Sequence, residues 1–121
     1  MQSIKVLIAD DNGNFIQQVK SFLASDPDIE IVGEAKDGKE AISKVKELTP
    51  DIVLMDVRMP KMSGLKATHR IKQIMPEVKI IILTIYDIDE YRKAAKDSGA
   101  SNFVVKTSIK NQISQNDKRG V

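Results

Sequence analysis

Cysteine is absent from this sequence of 121 residues, histidine occurs once, and no apolar run is long enough to cross a bilayer. The absence of cysteine excludes disulfides, thiol nucleophiles and thiolate metal sites. The single histidine, His69, lies among basic residues without the partner ligands that a histidine metal site requires, so we expect an exposed side chain. The apolar runs have the length of strands and predict no membrane span. Because the first residues lack a signal-peptide pattern, we expect a cytoplasmic protein.

A strong charge imbalance is also missing. Nineteen Lys and Arg against seventeen Asp and Glu give a net charge of +2, which does not indicate binding to nucleic acid or to an anionic membrane. Neither a GxGxxG motif nor a P-loop lysine motif occurs, and three Phe with two Tyr are few for a flavin-binding domain. What remains is an apolar fraction of 41% and a charged fraction of 30%, the composition of one globular domain.

Five short apolar runs alternate with amphipathic segments along the chain. The runs begin at Ile4, Ile29, Ile52, Ile80 and Phe103, and the segments between them carry apolar residues at helical spacing. Three of the four prolines fall where a helix is expected to end. This alternation predicts an α/β fold with a parallel sheet, right-handed crossovers and helices on both faces.

Polar residues mark the expected starts of the helices. Two capping boxes are present, Asp37 with Glu40 and Asp87 with Glu90, and Ser63 is a further candidate N-cap. For the first helix, the acidic pair that directly follows the first apolar run is the candidate cap.

Four of the apolar runs end at a residue whose side chain can accept or bind a phosphoryl group. Asp10 and Asp11 follow the first run, Asp56 the third, Thr84 the fourth and Lys106 the fifth. Because the carboxyl ends of parallel strands share one edge of a sheet, we expect these side chains to meet in one pocket. Taken alone, each has an ordinary explanation as a helix cap, a loop acid, a strand residue or a surface lysine. Their joint placement favours a functional site.

Three carboxylates in one pocket require a cation. Two unit charges about 4 Å apart repel by roughly 4 kcal/mol at an effective dielectric of about 20, and Lys106 alone cannot neutralise three acids. Carboxylate oxygens suit Mg²⁺, which keeps several waters and accepts a phosphate oxygen. Beside such a cation, Asp56 is a candidate nucleophile toward phosphorus, and the Thr84 hydroxyl is a candidate donor to a phosphate oxygen.

The sequence resembles the receiver domain of two-component response regulators through about Lys106. The resemblance rests on Val6–Asp11, Asp56–Gly64, Leu83-Thr84 and Lys106. Three further stretches, Val32–Ala35, Pro50–Asp56 and Ser98–Ser101, are similar to the NarL/FixJ (LuxR-type) subfamily in particular. The resemblance implies a flavodoxin-like (βα)5 fold with five parallel strands in the order 2-1-3-4-5. It also implies a receiver domain over residues 1–116. Its last helix is expected to be weak, a departure from the family, because only Ile109 and Ile113 could face the core, and we expect residues 117–121 to form a disordered polar tail.

The resemblance also implies roles for individual residues. Asp56 is implied as the phospho-acceptor, and Thr84 and Lys106 as the residues that contact the phosphoryl group. The implied Mg²⁺ ligands are Asp10, mostly through a water, Asp11, Asp56 and the backbone carbonyl of Arg58. Thr84 and Phe103 are implied to move together as a switch that alters the face of the fourth helix and the fifth strand. Such a domain is not an enzyme, although it assists its own phosphorylation and dephosphorylation.

The implied phosphoryl donor is a sensor histidine kinase, and the implied output is transcription through a DNA-binding domain outside this chain. A homodimer on phosphorylation is a further expectation, and a membrane partner is not expected. The main alternative is a stand-alone or non-phosphorylated protein-interaction domain, because Ile85 stands after Thr84, where the family usually has a small residue. A phosphatase of the haloacid-dehalogenase type is disfavoured, because Arg58 occupies the position of its second Asp.

Overall fold

Strands and helices alternate along the chain in the computed structural model, which describes residues 3–106. The elements are β1 (Ile4–Ala9), α1 (Gly13–Leu23), β2 (Ile29–Ala35), α2 (Gly38–Leu48), β3 (Ile52–Asp56), α3 (Gly64–Ile74), β4 (Lys79–Thr84), α4 (Asp89–Ser98) and β5 (Asn102–Val105). The predicted last helix, the domain boundary after residue 116 and the polar tail at 117–121 lie outside the described residues. Among the described helices, none has the length and apolar character needed to cross a membrane.

The five strands form one parallel sheet in the order β2-β1-β3-β4-β5, which confirms the predicted fold and strand order. Strand β2 extends to Ala35, which pairs with Ala9. The Ala35 carbonyl also accepts the N–H of Asp10 at 2.9 Å. This extension of β2 anchors the backbone of Asp10 at the edge of the sheet.

Apolar side chains cover both faces of the sheet, as the continuous apolar sequence of β3 predicts. On one face, Val53 and Met55 are buried together with residues of α2, α3 and α4. On the other face, Leu54 packs with residues of α1. Burial of one such side chain contributes about 1.5–3 kcal/mol. Successive residues of β3 therefore hold helices on opposite faces, and this packing fixes the position of the last residue of the strand, Asp56.

Side-chain caps fix where three of the helices begin. Asp37 and Ser63 cap α2 and α3 as predicted, each accepting the N–H three residues further on, at 2.8 and 3.2 Å. The cap of α1 is Asn12, which accepts the N–H of Phe15 at 3.2 Å, so the prediction of an acidic cap was wrong. Asp10 instead accepts the N–H of Asn12 at 2.8 Å. An amide side chain thus takes the capping role and leaves the acids available to the edge of the sheet.

The capping box predicted at Asp87 was also wrong. Helix α4 begins at Asp89, and its N-cap residue, Ile88, makes no side-chain hydrogen bond. The Asp87 carboxylate instead accepts a hydrogen bond from Arg92 Nε at 2.7 Å, and this bond holds the pKa of Asp87 below its usual value. A charged donor on the first turn of α4 replaces the backbone N–H that a capping box would use.

The connection between β3 and α3 folds back tightly against the end of β3. The N–H of Gly64 donates to the carbonyl of Val57 at 2.9 Å, and a Cβ atom at Gly64 would overlap the carbonyl oxygen of Asp56. A backbone oxygen cannot rotate away as a flexible side chain can, so only glycine fits. The start of α3 is therefore held directly against Asp56.

We expect Gly64→Ala to lower the free energy of unfolding by about 3 kcal/mol, because overpacking typically costs about 1–3 kcal/mol and here meets backbone. Unfolding in urea measures the change. Gly13→Ala is the matched control, since a Cβ atom there meets nothing within 4 Å, and its stability should stay within about 1 kcal/mol of wild type. Equal losses from the two substitutions would contradict the close approach as the cause.

Candidate functional site

Four strand ends come together at the carboxyl edge of the sheet. Asp10 follows β1, Asp56 ends β3, Thr84 ends β4 and Lys106 follows β5. Because these four strands are successive neighbours in the sheet, the four residues lie along one edge in that order. The exposed Asp11 lies next to Asp10. The structure thus brings together the acids, the hydroxyl and the ammonium that the sequence pattern placed at strand ends.

Three carboxylates cluster at this edge. Oxygens of Asp10, Asp11 and Asp56 lie within 4.8 Å of one another, and the side chains of Asp10 and Asp56 are buried. Asp10 Oδ1 accepts the N–H of Asn12 at 2.8 Å, whereas Asp10 Oδ2 is buried without a hydrogen-bond donor. Buried oxygens usually have a donor. An acceptor without one, inside a cluster of acids, fits a bound cation.

Lys106 supplies one positive charge to this cluster. Its Nζ lies 2.6 Å from Asp10 Oδ2 and 3.4 Å from Asp56 Oδ1, and its side chain is only 12% exposed. The contact with Asp10 Oδ2 is an ion pair, and the buried oxygen accepts no hydrogen bond. One ammonium therefore faces two buried carboxylates and the exposed Asp11 nearby, and it offsets only part of their charge.

Burial and this imbalance of charge both act on the Asp56 carboxyl. Its pKa is raised from 3.8 to about 6. Burial is the largest cause, followed by the negative charge of Asp10, with a smaller repulsion from Asp11. Lys106 lowers the pKa of Asp56 through its charge and a hydrogen bond, but it does not cancel the other effects. In the folded protein the ionised form of Asp56 is thus less favourable than in water.

The donor set fits a hard divalent cation such as Mg²⁺. Carboxylate oxygens are ligands that Mg²⁺ prefers, and the buried Asp10 Oδ2, which accepts no hydrogen bond, has the Lys106 ammonium as its charged partner. A divalent charge would also offset the repulsion that raises the pKa of Asp56. That the backbone carbonyl of Arg58 completes the ligands stays a prediction. The Arg58 side chain is exposed, with Cζ 5.6 Å from the centroid of the Tyr86 ring.

Thr84 connects the site to the loop that follows β4. Its side chain is buried, and its Oγ1 accepts the N–H of Tyr86 at 3.0 Å. Accepting this hydrogen bond leaves the hydroxyl proton for a donor role. Ile85, the residue between them, has a side chain that is 59% exposed. The loop is therefore held at Thr84 while its apolar side chains face solvent.

Two aromatic contacts near the site were not apparent from the sequence. Lys106 Nζ lies 4.3 Å from the centroid of the Phe15 ring, and Arg92 Cζ lies 4.7 Å from the centroid of the half-buried Phe103 ring. Neither contact has a local sequence signal, because each joins two elements whose relative placement depends on how a helix packs on the sheet. Asn12, by contrast, is a preferred N-cap type directly before a helical pattern, a signal that could have identified it.

Comparison with known proteins identifies relatives of this chain. The sequence profile described as the response regulator receiver domain matches residues 6–116. The response regulator protein VraR of Staphylococcus saprophyticus is 40% identical over 112 residues, which make up 93% of this chain and 54% of that protein. The chain therefore spans about half the length of the curated relatives it matches.

Solved structures show the same fold. A two-component response regulator of the LuxR family from an Aurantimonas species superposes with a TM-score of 0.89 at 29% identity, covering 98% of this chain and 84% of that one. A DNA-binding response regulator of the LuxR family from Staphylococcus aureus gives a TM-score of 0.80 at 26% identity, covering 95% and 97%. The similarity thus extends over nearly the whole of this chain.

We expect Asp56→Asn to stabilise the metal-free protein at a pH above 6. The pKa of Asp56 is about 6 in the folded protein against a usual 3.8, so the folded state holds this proton more tightly. Wild-type stability therefore falls as the pH rises through that interval. Each pKa unit corresponds to about 1.4 kcal/mol and solvent screening reduces the effect, so the expected gain is about 1–2 kcal/mol near pH 8 and close to zero near pH 4.

Urea unfolding in buffer containing EDTA, repeated across this pH range, measures the gain. Glu30→Gln is the matched control, because it removes an exposed carboxylate from β2. Its effect on stability should not change with pH in the same way. A gain from Asp56→Asn that is equally large at both ends of the range would show that its cause is not the titration of Asp56.

Proposed function

The chain belongs to the response regulator receiver domain family, with LuxR-type (NarL/FixJ) relatives, and from this we propose that Asp56 accepts a phosphoryl group from a sensor histidine kinase. The protein would act as a Mg²⁺-dependent signalling switch of a two-component system. The observation that carries the proposal is the position of Asp56, a buried carboxylate at a strand end, inside an acid cluster and 3.4 Å from the ammonium of Lys106. Receiver domains are signalling domains and not classical enzymes.

In the proposed reaction, a carboxylate oxygen of Asp56 attacks the phosphorus of a phosphohistidine on the kinase. The new O–P bond forms as the N–P bond to the imidazole breaks, and the imidazole keeps the electron pair and takes up a proton. Attack requires the ionised form of Asp56. Because its pKa is about 6, added positive charge at the site increases the ionised fraction and supports the reaction at neutral pH.

Lys106 is proposed to contact the transferred group. Its Nζ lies close enough to Asp56 Oδ1, at 3.4 Å, to offset the charge on the phosphoryl oxygens with a small movement. Mg²⁺, held by Asp10, Asp11, Asp56 and the backbone carbonyl of Arg58, would supply the remaining positive charge for phosphorylation and for hydrolysis.

The proposed change of state affects the face formed by α4 and β5. When Thr84 turns toward the phosphoryl group, its Oγ1 leaves the N–H of Tyr86, to which it is bonded at 3.0 Å, and the loop is released. Phe103 is proposed to move inward together with Thr84. Since the Phe103 ring lies under Arg92 of α4, its movement would break a contact between β5 and α4 and alter the surface that a partner meets.

We propose that the downstream partner is a DNA-binding domain through which the protein controls transcription. This chain spans about half the length of its VraR relatives, and relatives of the LuxR family include one described as a DNA-binding response regulator. A homodimer formed on phosphorylation and a cytoplasmic location complete the proposal.

Incubation with an acyl phosphate and Mg²⁺ is expected to add one acid-labile phosphoryl group to the wild type and none to Asp56→Asn, because the amide is not a nucleophile toward phosphorus. Intact mass spectrometry before and after acid or base treatment reads the result. Asp28→Asn, which changes an exposed acid at the amino end of β2, should be labelled like the wild type. Equal labelling of Asp56→Asn would rule out Asp56 as the acceptor.

Asp11→Ala is expected to weaken Mg²⁺ binding by about tenfold or more, because it removes one of the three clustered carboxylates. Isothermal titration calorimetry measures the binding constant, with Asp28→Ala as the control. A constant that Asp11→Ala leaves unchanged would favour the alternative of a non-phosphorylated interaction domain.

A further inference from the structure

We propose that Phe15 is a positioning residue for Lys106, whose ammonium it holds beside Asp56 through the face of its aromatic ring. The functional meaning of this inference rests on the proposed phosphorylation of Asp56, whereas the contact itself can be tested without it. The inference gives a specific role to a residue of α1 that otherwise belongs to the apolar core.

Lys106 needs such a contact because its backbone does not fix its ammonium. It follows the last residue of β5, and a lysine head group is carried on a flexible four-carbon stem. Its Nζ lies 4.3 Å from the centroid of the Phe15 ring, well within the range of about 6 Å over which a ring attracts a cation. The Lys106 side chain is largely shielded from water, which strengthens that attraction.

Phe15 is itself firmly placed. Its side chain is buried in the cluster between α1 and the sheet, and its N–H donates to Asn12 Oδ1 at 3.2 Å. The N–H of Asn12 donates in turn to Asp10 Oδ1 at 2.8 Å, while Asp10 Oδ2 pairs with Lys106. The contacts therefore form a closed circuit through Asp10, Asn12, Phe15 and Lys106, which joins the helix cap to the ammonium.

The ring differs from the acids in how it holds the ammonium. Asp10 and Asp56 attract Lys106 with full charges, but a cation bound to the same carboxylates competes with Lys106 for their oxygens. The ring attracts the ammonium through its quadrupole and carries no charge that would neutralise it. Phe15 thus keeps Lys106 near Asp56 when its ion pair with Asp10 weakens, and it leaves the full positive charge for the phosphoryl oxygens.

A second phenylalanine on α1 separates positioning from packing. Phe22 follows Phe15 by two helical turns and packs against the same apolar cluster, and no ring–cation contact is found for it within residues 3–106. Phe15→Leu and Phe22→Leu remove one ring each and keep an apolar side chain, whereas Phe15→Tyr keeps the ring. Trifluorophenylalanine at either position preserves the ring's shape and weakens its attraction for cations.

The first readout is the NMR signal of Lys106 in the unphosphorylated protein, assigned with Lys106→Arg. Ring currents should move its side-chain methylene protons upfield, and we expect Phe15→Leu to abolish this shift while Phe15→Tyr and Phe22→Leu keep it. The second readout is the rate of phosphorylation by an acyl phosphate with Mg²⁺. We expect this rate to fall about five- to thirty-fold in Phe15→Leu, to fall less with trifluorophenylalanine at position 15, and to stay near wild type for both changes at position 22.

Lys106 signals that do not respond to Phe15→Leu would overturn the positioning role. So would a phosphorylation rate that Phe22→Leu lowers as much as Phe15→Leu does, because the effect would then come from packing. If Phe15→Leu does not fold, trifluorophenylalanine at position 15 decides through the rate. If the wild type gains no phosphoryl group, the proposed function fails, and the Lys106 signals still decide whether Phe15 holds the ammonium.

Discussion

Repulsion among three carboxylates at one edge of the sheet is the constraint on which the rest of the structure depends. Parallel strands bring Asp10 and Asp56 to the same edge, and burial removes the water that would screen their charges. Lys106 offsets part of the repulsion, but burial, the largest cause, and the negative charge of Asp10 still hold the pKa of Asp56 at about 6. A proton or a cation relieves this repulsion, whereas a phosphoryl group on Asp56 would add negative charge to it. The edge therefore responds to each change of charge at Asp56, and this response is the physical basis on which a switch can operate.

Uncharged parts of the molecule hold the charged edge in place. Strand β3 is packed on both faces, so Asp56 cannot move away from Asp10 without disturbing the helices on each side of the sheet. Gly64 brings the start of α3 against the Asp56 carbonyl, and Asn12 fixes the start of α1 beside Asp10. The unfavourable arrangement persists because apolar burial and backbone hydrogen bonds outweigh it.

The site residues at the carboxyl edge of the sheet could be predicted from the sequence, because the apolar runs show where each strand ends. Parallel topology alone then brings those strand ends together. Prediction was wrong where two local arrangements compete. Asp87 has the spacing of a capping box, yet the charged group of Arg92 is the stronger partner. The contact of Phe15 with Lys106 depends on how α1 packs on the sheet, which no short pattern encodes. The side chain of His69 is exposed, as the sequence analysis predicted.

Strand β5, with 4 residues, is the shortest strand within residues 3–106, and it lies at the edge of the sheet, paired with β4. This placement has a consequence for biosynthesis. Asp10, Asp11 and Asp56 all leave the ribosome before Lys106, so the emerging chain carries the acids of the edge without their ammonium. The positive charge of Lys106 therefore reaches the acids only when β5 pairs with β4.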